Sequence, residues 1–301
     1  MALPAVALPR HVSLGTRAGA YVALTKPRII ELLLITTLPT MIVAQRGLPP
    51  VWLMAATLLG GALAAGGANA INMVIDRDID KLMHRTSQRP LVTGAVTPRN
   101  ALVFAIALEV LAFVELWGWV NLLAAALAVS ATLFYIFVYT LWLKRTSSQN
   151  IVIGGAAGAV PVLVGWAAVT DSLTWTPVVM FAIIFVWTPP HFWALAIKYK
   201  DDYRAADVPM LPAVATFRRT GREILLYSFL LVGVSLLLAV VGHLGVIYIV
   251  SASVLGLVFV AMAARLLVRA TPKAAMQLFS YSITYLTLLF VLMAVDIFTK
   301  H

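Results

Sequence analysis

The amino-acid sequence predicts an all-α, polytopic membrane protein, and both its composition and its apolar segments lead to this fold class. Of the 301 residues, 62% are hydrophobic and 11% are charged, whereas soluble domains usually carry about 25% charged residues. The mean hydropathy of +0.96 shows that uncharged polar residues do not make up the difference. A chain so poor in charge fits one helical bundle in a bilayer better than a soluble domain.

Nine segments are long and apolar enough to cross the hydrocarbon core, which takes about 20 residues of helix. They are residues 29–45, 51–74, 100–120, 122–142, 150–170, 174–196, 222–242, 245–267 and 276–298. We therefore predict nine transmembrane helices. They form a single membrane domain over residues 26–301, preceded by a short cytosolic arm at residues 1–25.

The basic residues predict the orientation of these spans. With the N-terminus in the cytoplasm, all of the 22 Lys and Arg residues except Arg46 and Lys300 fall on the cytoplasmic side. Membrane proteins collect basic residues on that side, so we predict a cytoplasmic N-terminus and an external C-terminus. The same distribution accounts for the net charge of +10 without a nucleic-acid partner. The lack of cysteine excludes disulfides and thiolate chemistry.

The second predicted span ends in polar residues with helical spacing. Asn72, Asp76 and Asp80 follow one another at intervals of four, and each step turns only about 40° around a helix, so they share one face. Asn69 falls in the same arc, and Asp78 does not. Like charges on one stripe repel, and they are costly near hydrocarbon. Because Mg²⁺ uses one or two carboxylates together with substrate phosphates, the spacing favours a magnesium-diphosphate site.

The alternative interpretation of this motif is a solvated acidic helix end at the membrane interface. It does not account for the amide of Asn72, and the helix macrodipole opposes negative charge at the C-terminal end of a span. Downstream, the guanidinium forks of Arg85 and Arg89 match the geometry of phosphate oxygens, so we expect them to clamp the diphosphate. Ordinary cytoplasmic charge is the other interpretation of both arginines, and His84 is a weak signal.

The sixth predicted span carries a second polar group at its end. Lys198 and Asp202 are four apart, and His191 lies seven before Lys198, about 20° from the same stripe. Asp202 would complete the metal site from the opposite side, with Lys198 on the phosphate. Pro189-Pro190 should kink or break this helix within the membrane. An ionisable residue at the depth of His191 is expected to be functional, unless it is a hydrogen-bonded core histidine.

These motifs resemble those of the UbiA superfamily of intramembrane prenyltransferases, and above all those of its haem-farnesylating branch. The resemblance covers about residues 20–298 and depends on a series of short stretches. They are Leu24-Thr25-Lys26-Pro27-Arg28, Asn69 to Asp80, Met83-x-Arg85-Thr86-x-x-Arg89-Pro90-Leu91-x-x-Gly94, Pro190-His191-Phe192-Trp193, and Asp202-Tyr203 leading to Val208-Pro209-Met210-Leu211-Pro212. The superfamily implies a UbiA-like bundle with Asp-rich loops on the cytoplasmic side.

One position departs from the superfamily pattern. The second motif of the superfamily usually has two aspartates spaced by three residues, and here Ala206 stands four after Asp202. The front half of the motif, Lys198-x-x-x-Asp202, is present. The sequence leaves open whether Asp201 or Asp207 replaces the missing acid.

The resemblance implies a reaction. Farnesyl diphosphate would bind with Mg²⁺, the departing diphosphate would be stabilised by the metal and by Lys and Arg, and a vinyl carbon of haem B would attack the allylic cation. Addition of water would then give haem O. The candidate catalytic residues are Asn72, Asp76, Asp80, Lys198 and Asp202. The expected metal ligands among them are Asn72, Asp76, Asp80 and Asp202. The expected substrate-binding residues are Asn69, Arg85, Arg89 and His191.

The same resemblance implies that haem B is a substrate rather than a cofactor, and that the protein lies in the plasma membrane of a bacterium. A haem A synthase or an oxidase-assembly protein is the expected protein partner. Two alternatives stay open. A UbiA-type prenyltransferase would act on an aromatic quinone precursor, and an ion-coupled secondary transporter would use the acids as coupling sites. Transporters place such sites near the membrane midplane, so acids at span ends disfavour transport.

Overall fold

The computed structural model describes residues 14–299, apart from the side chains at positions 29, 32 and 33, and these residues form helices joined by short connections. In chain order the helices are α1 (Leu14–Thr25), α2 (Pro27–Gln45), α3 (Val51–Ile75), α4 (Arg77–Asp80), α5 (Pro90–Thr93), α6 (Pro98–Trp119), α7 (Leu122–Thr146), α8 (Asn150–Thr170), α9 (Trp175–Lys198), α10 (Lys200–Ala205), α11 (Leu211–Val214), α12 (Phe217–Val241), α13 (Val246–Arg269) and α14 (Pro272–Thr299).

Eight of these helices are long and apolar enough to cross a membrane, namely α3, α6, α7, α8, α9, α12, α13 and α14. They match the second to ninth predicted spans, which confirms the polytopic helical fold. Within α2, the apolar helix among the described residues is Leu34–Gln45, which is short for a span, so the ninth crossing stays a prediction. Of the predicted cytosolic arm, residues 1–13 lie outside the described residues, and residues 14–25 form α1.

The long helices pack into one bundle around α9. This helix contacts α8, α12 and α14, and it is the most enclosed of the eight. α2 packs against α8 and α14, and α3 lies along α6 and reaches α2 and α8. Outward-facing side chains are apolar and large, as expected for helices that face lipid. The ends of α3 and α9 are therefore held at fixed positions by neighbours on several sides.

Glycine allows two of the close helix contacts. A Cβ on Gly60 of α3 would lie 2.5 Å from Cγ of Leu116 on α6, and a Cβ on Gly154 of α8 would overlap the ring of Tyr139 on α7. Both approaches are closer than carbon atoms tolerate. The neighbouring Gly61 faces open space, with no other group within 4 Å of the place where a Cβ would stand. α3, which leads into the acidic motif, thus approaches α6 closely, and α8 approaches α7, because particular glycines leave room.

Four exposed tryptophans lie at one end of the bundle. Trp52 begins α3, Trp117 and Trp119 end α6, and Trp175 begins α9. Tryptophan is enriched where helices leave the hydrocarbon for the membrane surface. The acidic motifs follow the opposite ends of α3 and α9, so the polar site and this belt of tryptophans lie on opposite faces of the bundle.

α9 continues through Pro189-Pro190 without interruption. The sequence predicted a kink or a break here, and the break is absent. Prolines are tolerated inside membrane helices because neighbouring helices and hydroxyl groups satisfy the freed backbone groups. Thr188, directly before the prolines, donates its hydroxyl to the carbonyl of Ile184 at 2.8 Å. Secondary transporters often bind their ions at broken helices, so the continuous helix removes a feature that would have favoured the transporter alternative.

Candidate active site

Three residues of the first acidic motif are buried together where α3 ends. Asp76 caps α3 with φ −85° and ψ 4°, and the chain resumes as α4. The backbone N–H of Asp76 donates to the carbonyl of Asn72, and that of Asp80 donates to the carbonyl of Asp76, both at 2.9 Å. This nearly helical path preserves the predicted spacing, so all three side chains point into the protein. Nδ2 of Asn72 donates to Oδ2 of Asp76 at 2.8 Å.

Cations from other segments neutralise the buried carboxylates. Asp76 is paired with Nζ of Lys144 at the end of α7, and Nη2 of Arg145 lies 3.8 Å from the other carboxylate oxygen. Nη1 of Arg89 donates to Oδ2 of Asp80 at 2.5 Å. A carboxylate out of water is costly unless it is paired, so these contacts allow the acids to be buried. Arg89 therefore lies at the acidic motif, where its partner is a carboxylate, and its contact with a diphosphate stays a prediction.

Lys26 enters the same site from the connection between α1 and α2. Its Nζ donates to Oδ1 of Asn72 at 2.9 Å. Burial lowers the pKa of Lys26 to about 7, and the nearby charges of Arg89 and Lys144 act in the same direction. The residue has φ 54° and ψ 64°, a left-handed conformation that costs a side-chain-bearing residue about 1–2 kcal/mol. Strain of this kind is found where a fold holds a functional group in place.

A π-helical stretch in α7, Phe134–Leu143, brings Thr140 to the site. The hydroxyl of Thr140 donates to the carbonyl of Tyr135, five residues earlier, at 2.8 Å. It accepts from Nδ2 of Asn72 at 3.1 Å. The amide of Asn72 is therefore held from both sides, because Lys26 contacts its oxygen and Thr140 its nitrogen. π-Helical turns are rare and occur frequently at functional sites.

Asp78 and Asn69 lie outside the buried group. Asp78 is exposed, in agreement with the helical spacing, and Arg145 donates to its two oxygens at 2.7 and 2.8 Å. That hydrogen bonding lowers the pKa of Asp78 to about 2. Nδ2 of Asn69 donates to the carbonyl of Thr25 at 3.1 Å. The contact of Asn69 therefore fixes the end of α1 beside α3, next to Lys26, and a contact with substrate stays a prediction.

The second acidic segment meets the first through Asp202. Its Oδ2 accepts the backbone N–H of Arg85 at 3.1 Å, and its Oδ1 lies 3.3 Å from Nδ1 of His84. The guanidinium of Arg85 lies over the ring of Tyr199, 5.8 Å from the centroid. The segments that follow α3 and α9 are therefore joined by direct contact.

The predicted stripe is wrong for Asp202, because the helix is interrupted between Lys198 and Asp202, whereas His191 and Lys198 lie on one continuous helix. α9 ends at Lys198, and Tyr199 with φ −106° and ψ 22° separates it from α10. Lys198 is exposed, and its Nζ lies 5.3 Å from the centroid of the Tyr199 ring. His191 is buried in the bundle, where Nδ1 lies 2.6 Å from Oγ of Ser282 on α14.

The two acids that could replace the missing second aspartate are both exposed. Oδ1 of Asp201 accepts from Nη1 of Arg204 at 3.2 Å, and both side chains are largely exposed. Asp207 is also exposed, at a backbone position with φ 52°. Ala206 is buried in the apolar core, so a carboxylate at that position would have needed its own counter-charge.

Three cations of the site are predicted from the sequence only as cytoplasmic charge and not as site residues. Lys26, Lys144 and Arg145 lie far from Asp76 along the chain, and no local spacing relates them to it. For Lys26 a signal was present, since it stands in the stretch Leu24 to Arg28 that carries part of the family resemblance. For Lys144 and Arg145 the signal was their position at the end of a span on the same side as the acids.

The donor atoms of the site suit a hard divalent cation. Oδ1 of Asp76 is fully enclosed and has no hydrogen-bond partner among the described residues. Carboxylate and amide oxygens are the protein ligands that Mg²⁺ prefers. Across residues 14–299, no three His, Asp or Glu side chains form a ready-made cage for a metal. The site therefore fits an ion that shares protein oxygens with substrate phosphates and water, as Mg²⁺ does.

Comparisons with known proteins show the family to which the chain is related. The model of the UbiA prenyltransferase family matches residues 33–292. A relative from Renibacterium salmoninarum, named protoheme IX farnesyltransferase, is 54% identical over 295 residues, which are 96% of this chain and 93% of the relative. A relative of the same name from Streptomyces avermitilis is 53% identical over 292 residues, 95% of this chain and 96% of the relative.

Solved structures share the fold. The structure of a digeranylgeranylglyceryl phosphate synthase superposes with a TM-score of 0.77 at 16% identity and covers 94% of this chain and 99% of its own. A UbiA homologue from Archaeoglobus fulgidus bound to GPP and Mg²⁺ has a TM-score of 0.64 at 17% identity, with coverage of 91% and 99%. At these identities the structures support the fold alone. With the family match and relatives above 50% identity over nearly all of its length, the chain belongs to the UbiA prenyltransferase family.

Proposed function

We propose that this chain transfers the farnesyl group of farnesyl diphosphate to a vinyl group of haem B and forms haem O and diphosphate. The observation that carries the proposal is the buried group of Asn72, Asp76 and Asp80, where an oxygen of Asp76 has no hydrogen-bond partner among the described residues and lies near lysine and arginine side chains. Such a group suits an anionic leaving group with its counter-ion. The acceptor follows from relatives that are named protoheme IX farnesyltransferase.

Asn72, Asp76, Asp80 and Asp202 are the residues that would hold the divalent cation. When bound there, Mg²⁺ supplies charge neutralisation for the diphosphate and so assists cleavage of the bond between farnesyl C1 and oxygen. Lys26 and Arg89 already lie against Asn72 and Asp80, and in this proposal they stabilise the charge that the departing oxygens gain. Stabilising developing charge with preorganised groups is usually the largest contribution of an enzyme site.

The remaining chemistry balances without a redox partner. The C1–O bond breaks, a vinyl carbon of haem B bonds to C1, and water adds to the resulting cation, so that a hydroxyethylfarnesyl group forms and one proton is released with diphosphate. An allylic cation is short-lived in water. The apolar helices that surround the end of α3 and α9 keep bulk water away from it, which favours transfer over hydrolysis.

The test is a product assay with the purified protein in detergent or proteoliposomes. With farnesyl diphosphate, haem B and Mg²⁺, mass spectrometry should show haem O, and a chelator should abolish it until Mg²⁺ is restored. Farnesyl diphosphate with 4-hydroxybenzoate in parallel tests the aromatic alternative. Prenylation of 4-hydroxybenzoate without haem O would refute the proposal, and uptake of an ion without diphosphate release would point to transport.

We also propose the membrane in which the enzyme lies, its orientation there and a protein partner. A bacterial plasma membrane with the N-terminus in the cytoplasm is supported by the distribution of Lys and Arg, since the acidic segments then face the compartment that supplies diphosphates. A haem A synthase is the proposed partner, because haem O is too apolar to leave the bilayer and needs an acceptor within it. Accessibility labelling of an added cysteine at each terminus tests the orientation.

A further inference from the structure

His191 has a fixed environment inside the bundle. Its ring stacks on Trp187 of the same helix, with centroids 4.2 Å apart, and on Phe279 of α14, at 4.6 Å. Nδ1 lies 2.6 Å from Oγ of Ser282. Ser282 is itself anchored to α9, because its backbone carbonyl accepts from Nε1 of Trp187 at 2.8 Å. The histidine is thus held on its faces and at one of its two nitrogens.

The contacts of Ser282 determine which nitrogen of His191 carries the proton. Oγ of Ser282 lies 2.6 Å from Nδ1 and also 2.6 Å from the carbonyl oxygen of Phe279. A hydroxyl has one proton to donate. If it went to Nδ1, lone pairs of two oxygens would face each other at 2.6 Å. Both contacts are hydrogen bonds only if Ser282 donates to Phe279 and accepts from Nδ1–H, so Nε2 carries the lone pair.

Nε2 of His191 has no hydrogen-bond partner among residues 14–299, and the side chain retains 7% exposure. Nε2 is not one of the fully enclosed polar atoms that lack a partner, so it retains a surface that a ligand can approach. A histidine that only filled the core would be expected to satisfy both nitrogens. A histidine that binds a metal usually donates its other N–H to a neighbour, which fixes the ring and leaves one lone pair directed at the metal. His191 has this second arrangement.

We infer that Nε2 of His191 is an axial ligand of the iron of haem B, and that Ser282 is the positioning residue that holds the required tautomer. The inference rests on the proposed function, in which haem B is the acceptor. Binding needs no proton transfer and no change of oxidation state, because an unprotonated nitrogen donates its lone pair to iron. His191 lies roughly 10 Å along α9 from Lys198, where the helix ends, so the porphyrin would sit in the membrane below the diphosphate site.

Comparing the binding of haem B with that of metal-free protoporphyrin IX distinguishes iron ligation from general porphyrin binding. Both compounds carry the same vinyl groups, and only haem B has iron. Titrations followed by absorption spectroscopy should show tighter binding of haem B to the wild-type protein, with the spectrum of a histidine-ligated haem. His191→Phe keeps an aromatic ring between Trp187 and Phe279 but offers no lone pair. It should bind the two porphyrins with equal affinity.

Ser282 is tested by the same titrations. Loss of a residue that orients a metal-binding histidine typically weakens metal affinity about 10–100-fold. Ser282→Ala should therefore weaken binding of haem B by about that factor and leave protoporphyrin IX unaffected, while Ser282→Thr, which keeps the hydroxyl, should restore it. A merely structural role would weaken both porphyrins equally in Ser282→Ala.

The inference is overturned if wild-type protein shows no preference for haem B, or if His191→Phe keeps the ligated spectrum. The wild-type comparison decides the question even if His191→Phe does not fold. The product assay for haem O, run on the same preparation, keeps the two proposals apart. Haem O formation without a preference for haem B removes the ligand role alone, whereas a preference for haem B without haem O removes the proposed reaction.

Discussion

Asp80 and Asp78 allow the charge of the site to be tested at two positions on one short helix, α4. Both carboxylates pair with arginine, but Asp80 is 2% exposed beside Arg89 at 19%, and Asp78 is 58% exposed beside Arg145 at 34%. Breaking a buried pair leaves an uncompensated charge and costs about 3–5 kcal/mol. An exposed pair contributes about 0–1 kcal/mol. Asp80→Asn should therefore lower the free energy of unfolding by about 3–5 kcal/mol and Asp78→Asn by at most about 1 kcal/mol.

The assay is equilibrium unfolding of both variants in one detergent, followed by calorimetric titration with farnesyl diphosphate at fixed Mg²⁺. Because Asp80 is also a proposed metal ligand, Asp80→Asn should lose about 3 kcal/mol of binding free energy, which is roughly 100-fold in affinity. Asp78→Asn should bind as the wild type does. Equal destabilisation of the two variants, or tight Mg²⁺-dependent binding by Asp80→Asn, would refute the reasoning.

Three further predictions concern neighbouring contacts. A bound diphosphate favours the charged form of Lys26, whose pKa is about 7, so affinity for farnesyl diphosphate should fall by up to roughly tenfold per pH unit above that value. Calorimetry in two buffers should detect proton uptake in the wild type and not in Lys26→Met; a flat pH profile would contradict this. Thr140→Val removes the hydroxyl that accepts a hydrogen bond from the Asn72 amide, and this hydrogen bond contributes about 1 kcal/mol. The variant should therefore form haem O roughly fivefold more slowly, whereas Thr140→Ser, which keeps the hydroxyl, should be close to wild type. Gly60→Ala places a methyl group against α6 and should lower the free energy of unfolding by about 1–3 kcal/mol, whereas Gly61→Ala should be neutral or stabilising. Equal changes in the two variants would count against the packing argument.

The membrane helices could be located from the sequence because hydropathy averaged over about 20 residues is insensitive to single positions. Continuity of α9 through Pro189-Pro190 could not be predicted in this way. The effect of a proline depends on whether neighbouring helices satisfy the freed carbonyl groups, and sequence periodicity carries no information about those neighbours. The same limit applied at Tyr199, where the chain leaves the helix and separates Lys198 from Asp202.

The buried acids could be predicted because residues four apart are related by local helix geometry alone. Asn72, Asp76 and Asp80 kept that relation even though α3 ends between them. Lys26 and Lys144 could not be predicted as their partners, since both arrive from other helices and become neighbours of Asn72 and Asp76 only when the bundle is packed. The sequence therefore predicted the anionic half of the site together with Arg89, and it left Lys26 and Lys144 as undifferentiated surface charge.

The π-helical stretch makes the number of residues per turn in α7 a determinant of the site. Each turn closed by an i→i+5 hydrogen bond holds one residue more than an α-turn, so two such turns within Phe134–Leu143 rotate the rest of α7 by roughly 200° relative to a regular helix. Lys144 and Arg145 are the next residues. The same residues wound as a regular α-helix would keep both cations in an unbroken span, yet direct them away from Asp76. Substitutions that restore α-helical hydrogen bonding in this stretch should therefore disturb the site more than substitutions on the lipid-facing side of the span.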